Sequence, residues 1–85
     1  MILEIRSIND IAFRELMDVY QESNIENAKF FYSKMDLSAG ILEAEQDFYA
    51  YLRNVFFQTK DAKYYVLEDN GQYLSAFRIE PYQDG

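Results

Sequence analysis

The apolar positions of this chain change period twice. Ile2-Leu3-Glu4-Ile5-Arg6-Ser7-Ile8 alternates with period two, the spacing of a half-buried strand with Ile2 or Leu3, and then Ile5, turned inward. Asn9 follows as an N-cap, and Asp10 suits the first turn of a helix. From about Asp10 to Glu22 the spacing turns helical. Phe13, Leu16, Met17 and Tyr20 fall at i, i+3, i+4 and i+7 on one face, with Arg14, Glu15, Asp18 and Gln21 opposite. Ile8 and Phe13 fit a hydrophobic staple around the cap.

Ser23-Asn24-Ile25-Glu26 matches a capping box and predicts the start of a second, short helix. It carries Ala28, Phe30, Phe31 and Tyr32 and fades near Lys34-Met35. Asp36-Leu37-Ser38 supplies a turn and the next cap. The third helix is expected from about Ala39 to Gln58, with Ile41, Ala44, Phe48, Tyr51, Leu52 and Val55 as its apolar stripe. Glu43, Glu45, Gln46, Asp47 and Arg53 mark its wet face. Gly40, near its start, costs about 1 kcal/mol against alanine.

The period then returns to two. Lys63 to Glu80 holds two runs rich in aromatic and β-branched residues around Asn70-Gly71. Asn-Gly suits a type I′ turn, which needs φ > 0 at both central positions, so the stretch predicts a β-hairpin. A two-residue loop sets Glu68 opposite Tyr73, Leu67 opposite Leu74, Val66 opposite Ser75, Tyr65 opposite Ala76 and Tyr64 opposite Phe77. One sheet face then carries Tyr65, Leu67, Leu74, Ala76 and Arg78, and the other Tyr64, Val66, Tyr73, Phe77 and Ile79. Both faces are apolar, whereas a sheet with helices on one side only alternates more cleanly. A cover for the second face is therefore expected, and little of the chain is left to provide it. Pro81 closes the last strand. The expected architecture is α+β: β-α-α-α-β-β in a single domain over residues 1–85, with helices packed on a three-stranded antiparallel sheet.

Composition narrows the function classes. In 85 residues, 49% are apolar and 18% aromatic, enough for a core although so short a chain buries only roughly 60–65% of its unfolded surface. A net charge of −7 and a pI near 4.3 argue against nucleic acid and anionic membrane partners, which need a basic surface. Without Cys or His there is no thiol chemistry and no Ser-His-Asp or Cys-His set. No apolar run reaches the length of a membrane span and no signal peptide is visible, which leaves the cytoplasm as the expected compartment.

Candidate chemistry is sparse. Three glycines, at 40, 71 and 85, cannot build a phosphate loop. Glu43 and Asp47, at i and i+4, lack a third metal ligand, so the plainer reading is a solvated helix face and no metal is expected. Phe30-Phe31-Tyr32 reads as core or as a pocket lining. Arg78 is a lone cation in an apolar strand: an ion pair at an edge or with a partner, or a ligand contact.

Leu3-Glu4-Ile5-Arg6 as opening strand, Phe13 to Ser23 as first helix and Tyr64 to Tyr82 as second and third strands together resemble the N-terminal half of a GNAT-superfamily N-acetyltransferase. The resemblance implies transfer of an acetyl group from acetyl-CoA, the co-substrate, to a small-molecule or peptide amine. The acetyl-CoA signature, an Arg/Gln-x-x-Gly-x-Gly/Ala turn after a fourth strand, is absent here, so no cofactor-binding or catalytic residue carries over and these residues alone are expected to be inactive, as a fragment of a larger domain. What the resemblance leaves is the acceptor side: Phe31 and Tyr32 between helices, and Arg78 and Tyr82 near the missing strand. The resemblance also implies a fourth strand beside 73–80; without it that edge is expected to pair with a second copy, as a homodimer, or with the missing C-terminal half. The alternative is a stand-alone acidic interaction module that binds a partner along the same edge.

Overall fold

The computed structural model describes residues 1–81. Its elements are β1 (Ile2–Ile5), α1 (Phe13–Val19), α2 (Gln21–Phe31), α3 (Leu37–Asn54), β2 (Lys63–Asp69) and β3 (Gln72–Ile79), with single 3₁₀ turns at Ile8–Asp10 and Phe56–Gln58. The sheet is antiparallel in the order β1-β2-β3. The fold is α+β, as expected. The described residues span 40 × 37 × 18 Å, and the short dimension is that of one sheet layer under one helix layer. Among them no helix is long and apolar enough to cross a membrane.

Leu3 pairs with Val66 and Ile5 with Tyr64, so the period-two pattern of β1 places Leu3 and Ile5 inward. Ile5 joins Leu16, Met17, Leu52, Phe56, Tyr64 and Val66 in one buried cluster between sheet and helices. β1 stops at Ile5. Ser7, not Asn9, is the first cap: its Oγ accepts from the Asn9 N–H at 3.2 Å and closes a 3₁₀ turn. α1 therefore starts at Phe13. Its cap position is Ala12, whose N–H donates to the Tyr73 hydroxyl of β3 at 3.1 Å. A tertiary partner thus meets a donor that local side chains usually satisfy.

The long first helix of the sequence reading is broken at Tyr20, whose φ of −98° and ψ of 18° end α1 and begin α2. Ser23 consequently lies inside α2, and the capping box does not form. α3 begins earlier than expected, after Asp36, and ends at Asn54, so Val55 is exposed. Gly40 is buried where α2 crosses α3. A Cβ there would sit 3.3 Å from the Cβ atoms of Ala28 and Tyr32, so the bare backbone permits the close crossing. Glu45, read as solvated, is buried on α3 and paired at 2.5 Å with the Arg14 guanidinium of α1. Helical spacing gives its side of α3, but only the approach of α1 encloses it.

The hairpin turn forms where Asn-Gly predicts it, with φ of 52° at Asn70 and 84° at Gly71. The ladder beyond it departs from the simple register. Glu68 pairs with Tyr73, but Leu67 pairs with Ser75, Val66 with Ala76, Tyr65 with Phe77 and Tyr64 with Arg78. Leu74 is the extra residue of a β-bulge. Because side chains alternate, one inserted residue exchanges the faces of everything after it. Phe77 and Ile79 turn to the outer face, and Ala76 and Arg78 turn under the helices. Small Ala76 packs against the core cluster and leaves room for α1 to lie on β3. Ile2, Leu67, Phe77 and Ile79 are all exposed on the outer face, with Tyr65 stacked on Phe77 at 5.3 Å between centroids. No described residue covers that face, and β3 is an edge strand among the described residues.

Gly71→Val is expected to destabilise by about 1–3 kcal/mol through its backbone angle. Sterics add nothing, since no atom lies within 4 Å of the added Cβ. Thermal melting checks this: each kcal/mol lowers the midpoint by roughly 4–8 °C in a domain this size. An unchanged midpoint would contradict the turn.

Candidate functional site

The break at Tyr20 sets the start of α2 across from the middle of α3 and the end of β3. Ser23, Asn24 and Asn27 share one side of α2 through i, i+3 and i+4 spacing. Phe48 and Tyr51 do the same on α3. Arg78 and Glu80, two apart on extended backbone, project to one side. With Tyr20 these residues line a cleft of about 410 Å³.

The bulge aims Arg78 into this cleft. Its guanidinium carbon lies 5.7 Å from the Phe48 ring centroid and 5.8 Å from that of Tyr51, a cation–π arrangement on two rings. Arg78 Nη1 is 3.8 Å from Glu80 Oε1, close enough for an ion pair and too long for a hydrogen bond. The Tyr51 hydroxyl donates to the same Glu80 oxygen at 3.1 Å. Burial, then the Glu80 hydrogen bond, raise the Tyr51 pKa, against a lowering by Arg78.

Behind this wall Tyr20 packs on Phe48 at 4.6 Å between centroids and shares a 2.9 Å hydrogen bond between its hydroxyl and that of Tyr64. Burial, foremost, and the Tyr20 hydroxyl hold the Tyr64 phenol well above the ordinary tyrosine range. It is a neutral structural group. Asn24 is 2% exposed. Its Nδ2 donates to Met17 Sδ at 3.8 Å, a weak acceptor. Asn24 lines the cleft, and among the described residues no buried side-chain nitrogen or oxygen is left without a hydrogen-bond partner.

The four residues singled out by sequence do not converge. Arg78 lies in the cleft. Phe31 and Tyr32 lie at the far end of α2. Phe31 is 68% exposed beside Phe30, 78% exposed, and the two rings meet edge to face at 4.8 Å. Neither is core, because α2 turns only Asn24 and Ala28 fully inward. Tyr32 lines a separate depression with Ala28, Lys29, Ser33, Met35 and Leu37. Its hydroxyl donates to Asp47, and that hydrogen bond is the main cause of its raised pKa. Tyr82 lies outside the described residues.

Asp47 is thus engaged by Tyr32, and among the described residues no three His, Cys, Asp or Glu side chains gather as metal ligands. The sequence pattern does not mark Tyr20, Asn24, Phe48, Tyr51 and Glu80 as site residues. The Arg78-x-Glu80 spacing was the available signal for Glu80. The others are read from sequence as helix stripe or cap. No family model, curated protein or solved structure matches the chain.

Proposed function

We propose that this chain is the N-terminal, acceptor-side part of a GNAT-like N-acetyltransferase. The observation that carries the reading is the cleft where the α1–α2 break meets the end of β3, which holds Arg78, one of the acceptor-side residues the resemblance implies. The open edge of β3 supports it further, since the family pairs a fourth strand there. The reaction is direct: a neutral amine attacks the thioester carbonyl, the C–N bond forms, a carboxylate or water-relayed base takes the amine proton, and the C–S bond breaks as CoA leaves as a thiolate that takes up a proton. These 85 residues hold no glycine-rich turn, so residues outside them hold the pyrophosphate of acetyl-CoA.

Calorimetric titration of the 85-residue chain with acetyl-CoA is expected to give no saturable heat. The uninterrupted reading frame that contains it is expected to encode Arg/Gln-x-x-Gly-x-Gly/Ala beyond a further strand, and its product to release CoA in the presence of amines. Micromolar binding by the 85-residue chain, or a frame without the motif, would overturn the reading.

The exposed apolar outer face favours a second reading, an acidic module that binds a partner, or a second copy, along β3. Concentration-dependent sedimentation without acetyl transfer by the longer product would favour it.

A further inference from the structure

We infer that the cleft binds a small zwitterion that carries both a carboxylate and an amine, of the amino-acid class, with Arg78 as carboxylate receptor. Arg6, Arg14 and Arg53 each donate a hydrogen bond to a neighbouring side chain. Arg78 donates none among the described residues, although its side chain is only 32% exposed. The Phe48 and Tyr51 ring centroids lie 5.7 and 5.8 Å from the guanidinium carbon. A ring face takes up no hydrogen bond from the guanidinium's five N–H donors, and a planar fork of donors matches a carboxylate in bidentate geometry. Glu80 does not fill this role. It sits at 3.8 Å and accepts from Tyr51 instead.

The opposite requirement is met a few residues away. Glu80 supplies an anion, and Asn24 supplies a side-chain amide, both lining the same cleft. An ammonium group donates to a carboxylate and to an amide oxygen. Between the two poles, the Tyr20, Phe48 and Tyr51 rings offer apolar wall to a side chain. A cavity of about 410 Å³ lies within the range of small-ligand sites. A simple amine leaves Arg78 unmatched, and inorganic phosphate leaves Glu80 unmatched. Only a molecule with both poles answers every group. In the acetyltransferase reading, on which this last step rests, the acceptor is the amine of an amino acid or of a short peptide.

Ligand-observed NMR on the 85-residue chain with a panel of L-amino acids tests the site without acetyl-CoA, so its outcome is separate from that of the acetyl-transfer reading. Some members of the panel are expected to bind saturably. Converting the best of them to its carboxamide, or removing its carboxylate, is expected to weaken binding at least about tenfold, the loss typical of a charged hydrogen-bonded contact. Arg78→Lys keeps the charge and loses the fork. It is expected to weaken binding by a similar factor with an unchanged melting midpoint, and Glu80→Gln to weaken amino acids more than the matching amine-free carboxylates. No saturable binding by any amino acid to the folded chain would overturn the inference. Equal binding of the carboxamide, affinity unchanged by Arg78→Lys, or full competition by inorganic phosphate alone would overturn it as well.

Discussion

Tyr64→Ala is expected to destabilise the protein by about 3–5 kcal/mol, the usual cost of deleting a large buried ring. Tyr64 is fully buried and meets Phe56 edge to face at 5.4 Å and Phe57 stacked at 6.1 Å between centroids. Its loss opens a cavity between β2 and the turn that follows α3, where the surrounding rings can collapse only partly. A chain of this length holds roughly 4–13 kcal/mol in total, so the variant would be left near the margin of folding. Tyr64→Phe retains the ring and loses only the hydrogen bond to Tyr20, at a cost of about 1 kcal/mol. Urea unfolding is the measurement: the midpoint should fall steeply for alanine and slightly for phenylalanine, at similar slope. A shift below about 1 kcal/mol for Tyr64→Ala would contradict the assigned core.

Alkaline solution should act through the same residue. Burial, then the Tyr20 hydroxyl, raise the Tyr64 pKa in the folded state, while the unfolded chain ionises near the ordinary value of about 10. Above that pH the unfolded state binds fewer protons than the native state, so stability falls as pH rises. Below about pH 10 this contribution is fully present. Above it, Tyr64 alone removes about 1.4 kcal/mol per pH unit until the folded phenol ionises. By about pH 11.5 the loss is about 2 kcal/mol. Tyr51 is shifted in the same direction and adds to the slope. Unfolding curves between about pH 8 and pH 11.5 should therefore show a steeper decline for the parent than for Tyr64→Phe. Parallel curves would show that Tyr64 ionises freely in the native state.

These two effects rest on a core that the sequence makes visible, since Leu16, Met17, Leu52 and Val66 all sit on stripes of the expected period. The Asn70-Gly71 turn is legible for a similar reason: its two positive φ values are demanded locally, by residues that tolerate them. So are the order of elements and the inward side of α1. Each of these signals lies within a few residues of what it specifies.

The bulge at Leu74 is of another kind. Nothing in Tyr73-Leu74-Ser75 announces it, and either register buries a plausible apolar set. What separates them is the space under α1 and α3, where Ala76 fits beside rings brought from elsewhere in the chain. The direction of Arg78, and with it the cleft, follows from that one inserted residue. The same distance in sequence explains the other departures. Ala12 finds its cap in Tyr73, 61 residues away, and Glu45 its partner in Arg14, 31 residues away. Period and local capping therefore determined which segments are helix, strand and turn, and most of what they bury. Register past the bulge, the burial of Glu45, the exposure of Phe30 and Phe31 and the convergence of Tyr20, Asn24, Tyr51, Arg78 and Glu80 belong to tertiary structure, because each depends on volume or hydrogen-bonding groups that only a distant segment supplies.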